Sequence, residues 1–268
     1  ISMKGIKDNM NILITGAKKG IGYATAIELL NKGHTVYLTV RTDEDLEEVE
    51  KQEEIKGKSV ICLKLDITNE EDRNKVKDFD IDVLINNAAI GTGGSIIEAT
   101  SNRIQDTYAV NVFGTIAMSQ LYLEKMVRKN SGRIITISSM LAEMPMQWLG
   151  IYSSTKAALT NVFMALDMEL KEIGSNVKVS IIEPGFYHTG FNQEMMENKY
   201  DNPESLFRNL REEISKTEKL KVNLLEKEDL KSIVDKIVQA VEDEKPSLIY
   251  KAPFLQKAMQ KMFIIIRK

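Results

Sequence analysis

The stretch NILITGAKKGIG, residues 11–22, decides the fold. Its first half, NILITG, centres on the apolar residues ILI (12–14) and reads as a strand. A helical pattern, GIGYATAIELLNKG, begins at Gly20 and closes at Gly33. Between the two stand Gly16, Gly20 and Gly22, spaced G-x-x-x-G-x-G. Glycine lacks a Cβ, so the backbone there can turn tightly and let a ligand approach closely. A helix N-terminus behind such a turn offers unpaired N–H groups to an anion. Strand, glycine turn and helix in that order suit the pyrophosphate of a dinucleotide.

The pattern repeats outward from this turn. TVYLTVR (35–41), SVICLKLDI (59–67), DVLINNA (82–88), GRIITISS (132–139) and VKVSIIEPG (177–185) read as further strands. Helical segments alternate with them over residues 43–55, 70–79, 101–129 and 152–172. Several strands are continuous apolar runs, as a parallel sheet covered on both faces requires. The expectation is therefore an α/β fold with a doubly wound, Rossmann-like parallel sheet in a single domain. Regularity fails over residues 186–225, a polar and charged stretch expected to be a substrate loop. A helix over 226–243, with Ile233, Ile237, Ala240 and Val241 on one face, and a last strand SLIY (247–250) complete a domain of residues 10–250. Residues 251–268 read as a C-terminal amphipathic extension.

Composition narrows the function classes. Of 268 residues 43% are hydrophobic, enough for a full core. A net charge of -3, from 36 basic and 39 acidic side chains, gives no reason to expect nucleic acid as a partner. The single cysteine, Cys62, sits in an apolar run and is expected to be a small core residue in a reducing, cytoplasmic setting. The first ten residues lack the apolar stretch of a secretion signal, and Met3 is the expected natural start. No metal site is expected.

Two features bear on cofactor choice and chemistry. An acidic residue near the end of the second strand binds ribose hydroxyls in dinucleotide folds, whereas an arginine accommodates a 2′-phosphate. Arg41 stands at that strand end, and Lys18 and Lys19 stand in the glycine turn, a cationic set suited to phosphate. Asp43 becomes the ribose ligand if the strand runs longer. Further on, YSSTK places Tyr152 and Lys156 four apart, on one face of a helix. A nearby ammonium favours phenolate, so the pair is expected to lower the tyrosine pKa and exchange a proton with an alcohol oxygen.

Together these motifs resemble the compact branch of the short-chain dehydrogenase/reductase family, over roughly residues 10–250. The glycine turn TGAKKGIG (15–22) has the family's TGxxxGxG spacing, and NNAAIG (86–91) is similar to its NNAG run, with Ala89 in place of glycine. Ala142 is a second position where glycine is usual. The resemblance implies that Gly16, Gly20, Ile21, Gly22, Asn87, Ala88, Pro184, Gly185 and Thr189 contact the cofactor. It implies NADP through Lys18, Lys19 and Arg41, and an adenine site at Asp66 and Ile67. A helix cap is the competing reading of Asp66. Lys156 would also hold the nicotinamide ribose. Catalysis would fall to Asn111, Ser139, Tyr152 and Lys156: Tyr152 moves the proton, Ser139 steadies the substrate oxygen, and Asn111 holds a relay water. Ser138 would face away, and His188 is not needed once Tyr152 supplies the proton.

The substrate side is expected from Met144, Met146, Trp148, Leu149, Phe186, Met195 and Met196, an apolar set that suits a lipophilic alcohol or ketone. The run VYLTVR (36–41), with IEPGFYHT (182–189) later, looks most like hydroxysteroid and retinol dehydrogenase-type members. A homo-oligomer through the helices at 102–129 and 152–172 is implied. From Phe254 the tail carries an apolar stripe at helical spacing with lysines off it, so a lid, a subunit contact and a peripheral membrane contact all stand open. The alternatives to an NADP-dependent reductase are an NAD-dependent dehydrogenase, a lyase or epimerase on the same scaffold, and a non-catalytic NADPH-sensing regulator.

Overall fold

Successive residues of the strands enter opposite layers of core. In a computed structural model, which describes residues 9–197, 204–210, 213, 225–254 and 258, the first strand β1 (Asn11–Ile14) sends Ile12 and Ile14 to one face and Leu13 to the other. β4 (Val83–Asn86) and β5 (Arg133–Ile137) do the same, Val83 and Ile85 against Leu84, and Ile135 and Ile137 against Ile134. Both faces are apolar because both are covered, which is why these strands lack alternation in the sequence. With β2 (Thr35–Val40), β3 (Val60–Lys64), β6 (Lys178–Pro184) and β7 (Ile249–Ala252) they form one seven-stranded parallel sheet, ordered β3-β2-β1-β4-β5-β6-β7. The order reverses between β1 and β4, and ligands in such sheets bind beyond the carboxyl ends of the strands at that point.

The helices are α1 (Gly20–Asn31), α2 (Asp43–Glu50), α3 (Glu70–Val76), α4 (Ser101–Tyr108), α5 (Thr115–Lys129), α6 (Gly150–Glu172), α7 (Phe191–Glu197) and α8 (Lys231–Glu242). Side chains start three of them: Thr42, Asn69 and Thr100 each accept a backbone N–H three residues on. Gly33 follows α1 at φ +89°, as the sequence implied.

Two expected helices are broken. The segment at 43–55 stops at Glu50 and resumes as a 3-10 turn at Glu53–Ile55. Val49 and Ile55 are both buried, and six residues of continuous helix would point them to different sides. The segment at 101–129 widens into a π-helical turn at Ala109–Gly114. There Asn111 exchanges two hydrogen bonds with the backbone of Ile90, at 2.8 and 3.0 Å. Gly114 packs where a Cβ would lie 2.9 Å from Ile67. The last strand forms two residues later than SLIY suggested. Among the described residues no helix is long and apolar enough to cross a membrane. The expected tail stripe beyond Phe254 lies outside the described residues, apart from Ala258.

Candidate active site

A cavity of about 520 Å³ opens at the carboxyl ends of the strands. The expected cofactor residues all line it except Gly22, together with Ser139, Tyr152 and Lys156. Gly22 acts one layer behind, where a Cβ would lie 2.4 Å from Asn87 Nδ2. That amide is fixed by donating to the carbonyls of Thr15 and Gly16 at 3.0 and 2.8 Å. Gly16 and Gly20 both sit at φ +64°, and a Cβ on Gly16 would lie 2.7 Å from Ala88 Cα. The glycines thus serve the turn and its packing against β4, as well as the cavity wall.

The residues present fit a dinucleotide phosphate. No side chain caps the first turn of α1, and Gly20 and Ile21 of that turn line the cavity. Lys18, Lys19 and Arg41 line the same end. Two of these cations already have partners. Lys18 Nζ lies 2.6 Å from Asp45 Oδ1 and 2.8 Å from Glu48 Oε2, and those bonds hold its pKa above the ordinary lysine value. Lys19 pairs with Glu194 of α7, reaching from the glycine turn to the segment after β6. Asp45 is held low mainly by its bond to Lys18, with Arg41 contributing. Asp43 does not become the ribose ligand: β2 ends at Val40, and the Asp43 carboxylate turns to Lys64 at 2.6 Å. Asp66 lines the cavity and accepts from the Thr68 amide and hydroxyl at 2.8 and 2.7 Å, while Asn69 caps α3.

The side chains at the other end are buried. Tyr152 and Lys156 lie on α6, and Ser139 caps the start of the 3-10 turn Met140–Ala142 that follows β5. Tyr152 is 7% exposed and Lys156 2%. The Ser139 hydroxyl, beside the Tyr152 phenol, favours its ionised form. Lys156 Nζ donates to the Ile137 carbonyl at 2.9 Å and stands 5.7 Å from the centre of the Tyr152 ring. Burial pushes the Tyr152 phenol above its ordinary range, and Ser139 only partly offsets this. The expected lowering of the phenol by Lys156 is therefore reversed. Desolvation is the reason, and it also pulls Lys156 down to about 8. Asn111 is wholly buried and does not line the cavity. Its amide also donates to Thr155 Oγ1 at 3.1 Å, so its visible part is to tie the π turn to Ile90 and α6.

Neighbouring side chains sort by partner. The Ser138 hydroxyl turns to α6, bonding the Lys156 carbonyl and Thr160 Oγ1. His188 Nδ1 lies 2.8 Å from Glu226, a partner the sequence did not reveal, and His188 is not in the cavity wall. Phe186 and Met195 line the cavity, and Met144, Met146 and Leu149 pack in the same apolar cluster. Trp148 instead meets Phe207 edge-on at 4.8 Å. Met196 has no described side chain. Sequence reasoning missed Asp45, Phe191 and Glu194 in the cavity wall. The cluster of acids opposite Lys18 was a readable signal for Asp45; nothing local marked the other two. Cys62 is half-buried, not deep core.

Known proteins bear on this arrangement. The short-chain dehydrogenase family profile matches residues 10–200. A 3-ketodihydrosphingosine reductase of Bacteroides thetaiotaomicron is 37% identical over 67% of this chain and 65% of its own. An 11-beta-hydroxysteroid dehydrogenase-like protein of Arabidopsis thaliana is 34% identical over 70% and 63%. An NADP-dependent 3-hydroxy acid dehydrogenase of Schizosaccharomyces pombe is 33% identical over 74% and 82%. The match thus spans less than two thirds of the first two of these relatives. A crystal structure of a short-chain dehydrogenase from Streptomyces avermitilis superposes with a TM-score of 0.77 at 25% identity, covering 97% of this chain and 92% of that one. With the glycine turn, Ser139, Tyr152 and Lys156 on one cavity of this sheet, and a profile match over most of its length, the chain belongs to the short-chain dehydrogenase family.

Proposed function

We propose that this chain is an NADP(H)-dependent oxidoreductase that interconverts a lipophilic alcohol and its carbonyl. One observation carries the reading: Tyr152, Ser139 and Lys156 meet at the buried end of a cavity whose other end holds Arg41, Lys18 and Lys19. A nicotinamide, when bound, supplies or accepts the hydride. The chain's own residues handle the proton and the oxygen. A phenol held protonated by burial is suited to give its proton to a carbonyl oxygen, so Tyr152 is the general acid of reduction and the base of oxidation. Ser139 hydrogen-bonds the same oxygen and stabilises charge developing on it. Lys156 keeps a cation close to the phenol below pH about 8. Asn111 acts from behind, holding Ile90 and α6 in register.

Arg41 at the end of β2, with no acid at the strand end itself, supports NADP. The relative from Schizosaccharomyces pombe is named as NADP-dependent. Asp45 in the same wall favours the second reading, an NAD-dependent dehydrogenase. The apolar cluster of Met140, Leu141, Leu149, Phe186 and Met195 beside Tyr152 supports a lipophilic substrate, as do relatives named for sphingoid and steroid compounds. Exposed Phe113, Val162 and Met168 on or beside the long helices support a homo-oligomer, which sedimentation tests. Phe254, 84% exposed where the tail begins, leaves a peripheral membrane contact to be tested by flotation of the full chain with anionic vesicles. A panel of carbonyl compounds, followed by NADPH and by NADH absorbance, tests the activity and the cofactor together. Oxidation of neither cofactor by any apolar ketone or aldehyde counts against the reading.

A further inference from the structure

An ion cluster outside the cavity joins two walls of the site. Strands β6 and β7 pair in parallel, which sets Lys251 beside Glu183 and Ala252 beside Pro184. Lys251 Nζ lies 2.8 Å from Glu183 Oε2, and the Glu183 side chain is 0% exposed. The same ammonium lies 2.7 Å from Glu143 Oε2. Burial alone would lower the Lys251 pKa, but its bonds to both carboxylates outweigh that and raise it.

The two carboxylates belong to functionally different segments. Glu143 caps the C-terminal end of the 3-10 turn Met140–Ala142, whose N-terminal cap is Ser139. Within that turn the Ser139 hydroxyl oxygen accepts from the Leu141 amide at 3.1 Å, and the Ser139 carbonyl accepts from the Ala142 amide at 3.0 Å. Five residues therefore move as one piece, with the serine at one end and Glu143 at the other. Glu183 immediately precedes Pro184 and Gly185, which line the cavity. The Gly185 amide donates to the Ala252 carbonyl at 2.8 Å. A buried Glu183 needs a cation near it, and Lys251 supplies one at Oε2. The need of Glu183 does not explain why the serine turn sends a second carboxylate to the same ammonium.

We infer that Lys251 is a positioning residue, acting through Glu143 to set the Ser139 turn against the Pro184–Gly185 wall. The last strand of the sheet thereby takes part in the geometry of the reacting oxygen without touching it. This rests on the reading of Ser139 as the group that binds that oxygen.

Glu143→Gln tests it, because it releases the serine turn while leaving the Lys251–Glu183 pair inside the sheet. Turnover of the full chain is followed by NADPH oxidation with phenanthrenequinone, an apolar dicarbonyl, as probe. The expected result is a fall in kcat of about tenfold, since small misplacements of a reacting group are that costly. NADPH affinity and the melting temperature should stay near those of the parent. Lys251→Met should lose at least as much, and Lys251→Arg should recover most of it. In a Ser139→Ala background, Glu143→Gln should add almost nothing, because both changes act on one group. Unchanged kcat in Glu143→Gln, or losses that multiply in the double variant, overturns the inference. If Ser139→Ala alone leaves kcat unchanged, the reading of Ser139 fails first, and it is seen to fail separately.

Discussion

The two ends of the cleft are built on opposite principles. At the end proposed for catalysis Ser139, Tyr152 and Lys156 are buried, and Ser139 and Lys156 are hydrogen-bonded inside the protein. At the phosphate end Lys19 is 55% exposed and Lys18 35%, and both are engaged by carboxylates. Buried polar groups must find partners, so a buried site permits few arrangements. Exposed charges exchange partners readily and are screened by salt. In the proposed function the proton chemistry therefore rests on packed, buried groups, whereas cofactor choice rests on a balance of surface charges that a single substitution can tip.

The strongest test of the buried end is Tyr152→Phe. It removes the proposed proton donor while keeping the ring that packs 5.7 Å from Phe191. Turnover should fall roughly 10²- to 10⁴-fold, the usual worth of a placed general acid. NADPH binding, measured by fluorescence titration, should hardly change. Comparable turnover in the variant would mean that another group moves the proton.

Burial of Lys156 has a cost that pH reveals. Its folded pKa is about 8 against an ordinary 10.5. Between these values the unfolded chain binds a proton that the folded chain has lost, so stability rises with pH. The shift corresponds to about 3 kcal/mol. Urea unfolding between pH 7 and 10 should show this upward slope, and Lys156→Met should flatten it. A slope that persists in the variant would assign it to other groups.

The exposed end should respond more weakly. Arg41→Ala removes the proposed charge-assisted contact to a 2′-phosphate, worth about 1.5–3 kcal/mol. NADPH affinity should drop accordingly and NADH affinity stay close to its starting value. Equal loss for both would leave Arg41 as a structural residue and favour the NAD-dependent reading.

The same division explains what the sequence made legible. The alternation of strands with helices and the double winding follow from apolar runs, and the parallel sheet bears them out. The gathering of Ser139, Tyr152, Lys156 and the glycine turn in one cavity was readable because each sits at a fixed place on a strand end or helix face. The direction of the tyrosine shift was not readable, since desolvation depends on what the fold lays over the ring. Asn111 was visible as a motif, but its bond to Ile90 depends on a π turn that local propensity does not announce. Lys18 and Lys19 were legible as cations, whereas their carboxylate partners come from α2 and α7 through tertiary contact alone. Glu143 and Lys251, 108 residues apart, carry no sequence signal of their meeting.

The smallest effect is expected from Asp45→Asn, and it probes the charge balance most directly. Asp45 lines the cavity between two cations: it bonds Lys18 at 2.6 Å and feels Arg41. A 2′-phosphate arriving there would share Lys18 with Asp45 and Glu48 and would be repelled by both carboxylates. Replacing Asp45 with asparagine keeps the shape, and the backbone amide that Thr42 accepts stays in place. One negative charge goes, so NADPH should bind several-fold more tightly, a gain of less than about 1 kcal/mol at such an exposed pair. NADH, which lacks the phosphate, should be nearly indifferent. Because the interaction is screened, the gain should shrink as salt is raised from 0.05 to 0.5 M, roughly in step with the shorter Debye length. The first turn of α2 loses a favourable acid, so the melting temperature should fall slightly, and affinities are best compared well below it. A gain shared equally by both cofactors would place Asp45 at the ribose or pyrophosphate instead. No change for either would show that Lys18 stays committed to Glu48 and that Arg41 alone reads the phosphate.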